Sequence, residues 1–125
     1  MARILLVEDD EAVREILRKA LVFAGHAVDE ASNGDVALAA YRRKAADLVI
    51  TDLVMPDKDG LETIMALRRL DPAVKIIAMS GGGRTLGSGQ LYLETARSIG
   101  AREILAKPFT GAALLQAVNQ VLSLP

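Results

Sequence analysis

The centre of the chain reads Leu48-Val49-Ile50-Thr51-Asp52-Leu53-Val54-Met55-Pro56-Asp57-Lys58-Asp59-Gly60. Its first three residues form an unbroken apolar run, which is typical of a parallel strand that helices cover on both faces. Asp52 follows this run, and the segment from Asp57 to Gly60 has the composition of a turn. The stretch therefore predicts a buried strand that delivers an acidic side chain at its carboxyl end.

Similar apolar runs, bounded by turn residues, lie on both sides of this stretch. We predict strands at Ile4 to Val7, Ala27 to Glu30, Asp47 to Thr51, Val74 to Met79 and Glu103 to Ala106. The runs at 4–7, 48–50 and 74–79 are the most continuously apolar, so we expect them at the centre of the sheet.

Segments with helical periodicity lie between the strands. One apolar stripe, on a helix that ends at Gly25, is formed by Val13, Ile16, Leu17, Ala20 and Leu21. The same pattern recurs over residues 114–122, and further helices are predicted at 35–44, 61–70 and 90–99. Strands that alternate with helices in this way predict an α/β fold built on a parallel sheet.

The composition limits the classes of function. The chain has 125 residues, 51% of them hydrophobic and 25% charged, so we expect one folded domain over residues 1–125 without an output domain. The formal net charge of −1 argues against direct binding to nucleic acid, and the lack of cysteine excludes thiol chemistry. The apolar run at the N-terminus is too short for a signal peptide or a membrane span, so we expect a cytoplasmic protein without membrane contact.

Charged and polar residues directly follow four of the predicted strands. They are Glu8, Asp9 and Asp10 after the first strand, Asp52 after the third, Ser80 after the fourth and Lys107 after the fifth. Since the carboxyl ends of parallel strands meet at one edge of the sheet, these side chains should lie close together. Converging carboxylates repel one another unless a cation sits between them, and oxygen ligands with room for water and phosphate suit Mg²⁺.

Simpler interpretations exist for single residues of this group. Asp9 or Asp10 could cap the helix that carries Val13, because an aspartate after a strand often accepts hydrogen bonds from the first free amides of a helix. Lys107 could be a surface lysine in front of Pro108, which would start a helix. The group interpretation is favoured because an acid pair, a single acid, a hydroxyl and a lysine each follow a different predicted strand.

The motifs at these strand ends carry a resemblance that extends over nearly the whole chain. They are Ile4-Leu5-Leu6-Val7-Glu8-Asp9-Asp10, the central stretch from Leu48 to Gly60, Ala78-Met79-Ser80 and Ala106-Lys107-Pro108-Phe109. As a set they resemble the receiver domain of two-component response regulators. The resemblance implies a flavodoxin-like, doubly wound sheet of five parallel strands in the order 2-1-3-4-5, with five helices.

The resemblance also implies roles for individual residues. Asp52 would be the phosphoacceptor, Lys107 would steady the transferred oxygens, and the Ser80 hydroxyl would donate a hydrogen bond to the new phosphoryl group. The implied Mg²⁺ ligands are Glu8, Asp9, Asp52 and the backbone carbonyl of Val54. The implied activity is that of a stand-alone phosphoacceptor switch and not that of an enzyme.

The same resemblance implies partners. The phosphodonor would be a phosphohistidine on a sensor histidine kinase or a histidine phosphotransfer protein, and a downstream protein target would receive the signal. We expect phosphorylation to shift the loop at 80–89 and the helix that follows it. The surface around residues 90–122 is then the candidate for binding the target and for a phosphorylation-dependent dimer.

Three features depart from the usual family pattern. Ile104 occupies a position that is commonly aromatic, so we expect no aromatic switch. Val54 and Gly82 occupy positions that often carry polar groups which orient water, so we expect slow loss of the phosphoryl group. The glycine-rich segment at 81–89 is longer than usual, and we expect it to rearrange on phosphorylation.

Two other functions share parts of this pattern. A haloacid-dehalogenase-like phosphatase also uses an aspartate after a strand, but it needs a second aspartate two residues later, where this chain has Val54. A flavodoxin-like cofactor-binding protein would need aromatic side chains around a flavin ring, and only 3% of the residues are aromatic, with no tryptophan. A colourless purified protein would exclude this second alternative.

Overall fold

The computed structural model describes residues 2–53, 60–80 and 94–125. Its strands are β1 (Arg3–Val7), β2 (Ala27–Ala31), β3 (Leu48–Asp52), β4 (Ile76–Ser80) and β5 (Glu103–Ala106). Its helices are α1 (Glu11–Phe23), α2 (Gly34–Arg43), α3 (Gly60–Leu70), α4, of which residues 94–98 are described, and α5 (Gly111–Leu122). The start of the helix predicted at 90–99 lies outside the described residues.

The strands form one parallel sheet in the order β2-β1-β3-β4-β5. This order confirms the predicted doubly wound fold. The three most apolar runs lie in β1, β3 and β4, which are the interior strands of the sheet. An interior strand is paired along both of its edges and covered by helices on both faces, so most of its side chains are buried.

The strand ends differ slightly from the sequence prediction. Asp52 and Ser80 do not follow their strands but are the last residues of β3 and β4, because they still pair with Met79 and Ala106 of the neighbouring strands. Strand β4 begins later than predicted, since the Val74 amide donates to the carbonyl of a preceding turn, 3.0 Å away. Asp52 and Ser80 therefore lie within the hydrogen-bonded strands, at their carboxyl ends.

The hydrophobic core is divided by the sheet into two clusters. Side chains of a strand alternate between its faces, so Ile4 and Leu6 of β1 pack with residues of α1 and α5, including Leu21 and Val118. The other face of the sheet packs with α2, α3 and α4, where Leu67 is fully buried. Both faces of the central strands are thus covered, as the continuous apolar runs indicated.

The helix beginnings are fixed by side-chain caps. The Asp10 carboxylate accepts a hydrogen bond from the Val13 amide at 3.1 Å, so Asp10 caps α1. Asn33 and Thr110 cap α2 and α5 in the same way. Of the two aspartates considered as caps, it is therefore Asp10 that has this role. None of the helices within the described ranges is both long enough and apolar enough to cross a bilayer.

Candidate functional site

The predicted site residues meet at the carboxyl edge of the sheet. Glu8 and Asp9 follow β1, Asp52 ends β3, Ser80 ends β4 and Lys107 follows β5. Because β1, β3, β4 and β5 are consecutive in the sheet, these residues form one row along its edge. Each of these four strands therefore contributes one part of the site at or just beyond its carboxyl end.

Three carboxylates of this row form a compact group. One oxygen from each of Glu8, Asp9 and Asp52 lies within 4.8 Å of the others. Glu8 is 1% exposed and Asp52 is 6% exposed, whereas Asp9 is open to solvent. The group of carboxylates is therefore buried at Glu8 and Asp52 and accessible to solvent at Asp9.

Lys107 supplies the positive charge next to these acids. Its Nζ atom donates a hydrogen bond to Glu8 Oε1 at 2.8 Å and lies 3.6 Å from Asp52 Oδ1. The interpretation of Lys107 as a surface lysine before a helix is wrong, because α5 begins only at Gly111 and the lysine side chain is mostly buried against the acids.

Burial and repulsion raise the pKa of Asp52 to about 6. Loss of solvent is the main cause and the nearby Glu8 carboxylate adds to it, while Lys107 and the Leu53 amide oppose the shift. The pKa of Lys107 is raised: burial favours its neutral form, but the hydrogen bond to Glu8 and the charge of Asp52 outweigh that effect. Asp52 is thus a carboxylate whose charge depends on nearby cations.

Backbone contacts hold the two buried acids in place. Glu8 Oε2 accepts a hydrogen bond from the Asp10 amide at 3.2 Å, and Asp52 Oδ1 accepts one from the Leu53 amide at 3.0 Å. The Thr51 hydroxyl donates to the Asp52 carbonyl at 3.0 Å. These bonds explain how buried carboxylates are tolerated at the sheet edge.

Two residues of the site were not identified from the sequence. Arg14 of α1 donates from Nη1 to the Glu8 carbonyl at 2.8 Å. Gly60 lies so close to β3 that a Cβ atom there would be 2.3 Å from the Asp52 carbonyl oxygen. In the sequence, Gly60 was predicted to lie in a turn at the end of the central motif and Arg14 had no predicted role, since neither contact follows from spacing along the chain.

The donor set fits a hard divalent cation. Carboxylate oxygens without nitrogen or sulfur ligands, some exposed to solvent, are the ligands that Mg²⁺ prefers, because this ion keeps several of its waters. The fourth predicted ligand, the Val54 carbonyl, lies outside the described residues, as does the glycine-rich segment at 81–89.

A cavity of about 720 Å³ lies at the opposite, amino-terminal edge of the sheet. His26, Tyr41 and Lys75 are among its lining residues, and none of the predicted site residues borders it. His26 is partly buried there and its Nδ1 accepts a hydrogen bond from the Ala2 amide at 3.2 Å. The acidic group is therefore separated from this cavity by the length of the strands.

Comparisons with known proteins agree with the fold. The sequence profile of the response regulator receiver domain matches residues 4–119. The chain is 32% identical to the chemotaxis protein CheY of Thermotoga maritima over 120 residues, which are 95% of this chain and 96% of that protein. It is 33% identical to the chemotaxis protein CheY of Bacillus subtilis, across 97% of this chain and 98% of that one.

A solved structure gives the same result. The receiver domain of NtrX from Brucella abortus superposes with a TM-score of 0.90 at 27% identity, across 98% of this chain and 99% of that chain. Similarity therefore extends over the whole sheet and its edge, and is not confined to one motif.

Proposed function

This chain belongs to the family of response regulator receiver domains, which are phosphoacceptor signalling switches, and on that premise we propose that Asp52 accepts the phosphoryl group. The observation that supports this assignment is the placement of Asp52: it is buried at the end of β3, beside two further acids and 3.6 Å from the Lys107 ammonium. A nucleophilic carboxylate needs this combination of restricted solvent and nearby positive charge.

The contacts of the Asp52 carboxylate support an assignment of the attacking oxygen. Its contacts with the Leu53 amide and with Lys107 both involve Oδ1, so we assign Oδ2 as the nucleophile. Attack forms an Oδ2–P bond and breaks the N–P bond of a phosphohistidine donor. The bonding electron pair stays on the imidazole nitrogen, and the product is an acyl phosphate.

Receiver domains bind Mg²⁺ at an acidic pocket, and we assign the ligands in this chain to Glu8, Asp9, Asp52 and the backbone carbonyl of Val54. A bound Mg²⁺ neutralises negative charge on the transferred oxygens. Glu8 and Asp52 are held by backbone amides, so they would ligate without large rearrangement. Asp9 is exposed and provides the side from which a hydrated ion can enter.

Lys107 and Ser80 complete the proposed machinery. The Lys107 ammonium, now bonded to Glu8, can bond an oxygen of the phosphoryl group on the neighbouring Asp52. Ser80 is 1% exposed and ends the strand next to β3, from where its hydroxyl can donate to the same group. Movement of Ser80 would carry the signal to the loop at 80–89, whose residues 81–89 lie outside the described part of the chain.

The chain is a signalling switch and not a typical enzyme, as its family shows. We propose that it loses the phosphoryl group slowly, because Val54 and Gly82 have no polar side chain with which to orient water. The phosphatase alternative has no second aspartate at Val54, and the flavin alternative has few aromatic residues. Membership of the receiver family favours the switch over both.

The partners that we propose follow from this chemistry. The donor is a phosphohistidine on a sensor histidine kinase or a histidine phosphotransfer protein, and the output is a downstream protein target. We assign target binding, and a phosphorylation-dependent dimer, to the surface around residues 90–122, because β5 and α5 adjoin Lys107 and Ser80. With a net charge of −1 we expect no direct binding to nucleic acid.

Incubation with acetyl phosphate and Mg²⁺ tests the assignment of the phosphoacceptor. We expect one acid-stable, base-labile phosphate on Asp52, located by mass spectrometry, and none on Asp52→Asn, because an amide is a poor nucleophile. Asp10→Asn is the matched control: it also removes one acid at the same edge but keeps a good helix cap, so it should be phosphorylated like the wild type. Phosphate that persists on Asp52→Asn would contradict the assignment.

A further inference from the structure

Arg14 connects the acidic edge to the neighbouring strand. Its Nη1 atom donates to the Glu8 carbonyl at 2.8 Å, and its Nε atom donates to Glu30 Oε1 at 3.0 Å. The side chain is only 17% exposed, so the guanidinium is held between the start of α1 and the ends of β1 and β2. Two donors of one rigid planar group are thus fixed on two partners.

The Glu8 carbonyl belongs to the peptide group that leads into Asp9. On the other side of Glu8, its amide donates to the Ala31 carbonyl at 3.0 Å, one residue beyond Glu30. Both ends of Glu8 are therefore tied to the end of β2, directly through the amide and through Arg14 at the carbonyl. Rotation of the peptide between Glu8 and Asp9 would break the Arg14 bond.

Asp9 depends on this peptide more than the other two acids do. Glu8 and Asp52 are buried and their carboxylates accept backbone amides, whereas Asp9 is exposed. The direction in which its carboxylate leaves the chain is set by the backbone that carries it. A hydrogen bond that fixes the peptide before Asp9 thus helps to fix the position of one of the three carboxylates.

Building on the function proposed above, we propose that Arg14, braced by Glu30, is a positioning residue that orients the peptide between Glu8 and Asp9 for Mg²⁺ binding. Arg14 would act on the cation through this peptide, because its guanidinium bonds the Glu8 carbonyl and Glu30. Residues that orient metal ligands in this way typically change metal affinity by about 10- to 100-fold when they are replaced.

The charge of Arg14 and its hydrogen bonds should have opposite effects on Mg²⁺ affinity, so a measurement of affinity can distinguish them. A guanidinium beside a cation site repels the cation, so loss of its charge alone would tighten Mg²⁺ binding. Loss of its two hydrogen bonds would instead weaken binding, because Asp9 is no longer held in position. A weaker Mg²⁺ affinity in a charge-removing variant therefore indicates positioning and not electrostatics.

Arg18 provides a matched control on the same helix. It lies 4.0 Å from Glu30 and forms two hydrogen bonds with Glu15, both 2.9 Å long. The hydrogen bonds of its guanidinium do not reach the backbone of Glu8 within the described residues. Arg18→Met and Arg14→Met remove the same charge from α1, but only Arg14→Met removes the bond to the Glu8 carbonyl.

The experiment is a calorimetric Mg²⁺ titration of the wild type, Arg14→Met, Arg14→Lys and Arg18→Met. We expect Arg14→Met to raise the Mg²⁺ Kd about 10-fold or more and Arg18→Met to change it by no more than about 2-fold. Arg14→Lys keeps the charge but not the planar two-bond fork, so its Kd should also rise. Amide exchange without Mg²⁺ gives a second readout: the Asp10 amide, which donates to Glu8 Oε2, should exchange faster in Arg14→Met only.

The outcomes separate this inference from the proposed function. A wild type that neither binds Mg²⁺ nor accepts phosphate would contradict the proposed function. If the wild type binds Mg²⁺ and Arg14→Met matches Arg18→Met in Kd and in exchange, the positioning role is wrong while the proposed function stands. A wild-type Mg²⁺ Kd in Arg14→Lys would show that the planar fork bonded to both Glu8 and Glu30 is not needed, and would also overturn the positioning role.

Discussion

Asp52 has a carboxylate at a position where its own negative charge destabilises the fold. Burial and the neighbouring Glu8 raise its pKa from 3.8 to about 6, and Lys107 compensates only in part. In the unfolded chain the same group returns to its ordinary pKa. The stabilising effect of its protonation is therefore fully present below the unfolded pKa and is lost as the pH rises through the folded one.

We therefore expect Asp52→Asn to stabilise the metal-free protein. Near neutral pH the amide removes the unfavourable buried charge, and the free energy of unfolding should rise by ~1–3 kcal/mol. The gain should shrink as the pH is lowered below the folded pKa of about 6, where the wild type becomes protonated. Urea denaturation at several pH values, in the presence of a chelator, measures this difference.

Asp10→Asn is the control for this comparison. Asp10 is exposed and caps α1, and asparagine caps nearly as well, so its stability should stay close to that of the wild type at every pH. A stabilisation by Asp52→Asn that does not depend on pH would show that its cause is not the buried charge.

For single residues, the sequence predicted which side chains meet at the site but not the contacts that hold them in position. Each strand end contributes a polar residue to one edge, so the neighbourhood of Glu8, Asp52 and Lys107 followed from topology alone. The contacts of Arg14 depend on the orientation in which α1 packs against the end of β2, and no pattern along the chain specifies that orientation. The chemical roles of the grouped residues stay predictions until they are measured.

Helix α3 is built against the strand that carries Asp52. Its first residue, Gly60, donates its amide to the Leu53 carbonyl at 2.9 Å. A Cβ atom at Gly60 would lie 2.3 Å from the Asp52 carbonyl oxygen and 2.5 Å from Leu53 Cα. Both neighbours are backbone atoms of the sheet edge, so they cannot move aside as a flexible side chain would.

We predict that Gly60→Ala destabilises the protein and distorts the site. The clash should lower the free energy of unfolding by ~1–3 kcal/mol and reduce the rate of phosphorylation by acetyl phosphate, since the backbone of Asp52 must shift. Gly111→Ala is the control, because Gly111 also begins a helix and an added Cβ there meets nothing within 4 Å. Equal stabilities of the two variants would refute the close approach at Gly60.

The elements themselves were predictable where packing and local sequence agree. Continuous apolar runs identified β1, β3 and β4 because both of their faces are buried. The ends of β3 and β4 were misplaced because Asp52 and Ser80 are polar yet still pair with their neighbours. Hydrogen-bonded pairing can continue past the last apolar residue of a strand, so a strand can be longer than the apolar run that predicts it.

Across the whole molecule, Asp52 and Ser80 lie side by side at the carboxyl edge of the sheet, while the surface assigned to partners begins beyond β4. A phosphoryl group on Asp52 adds negative charge next to the Ser80 hydroxyl, which can move to donate to it. The segment that follows Ser80 is rich in glycine and has few steric limits. The proposed signal is a shift in the population of this loop.

Amide exchange between Ser80 and Gly89 is therefore expected to slow on phosphorylation or on binding of beryllofluoride with Mg²⁺. Hydrogen exchange followed by mass spectrometry measures it, and Asp52→Asn in the same mixture should show no slowing. If exchange in this segment is unchanged while another edge of the domain responds, the loop does not transmit the signal.

The ion pair between Glu8 and Lys107 joins residues that are 99 positions apart in the chain. A ribosome therefore makes the acids of the first and third strands long before it makes the lysine that offsets them. Until the fifth strand emerges, docking those acids into the growing sheet would bury repelling charges without a counter-ion. We therefore expect the growing chain to close this edge only after Lys107 has been synthesised.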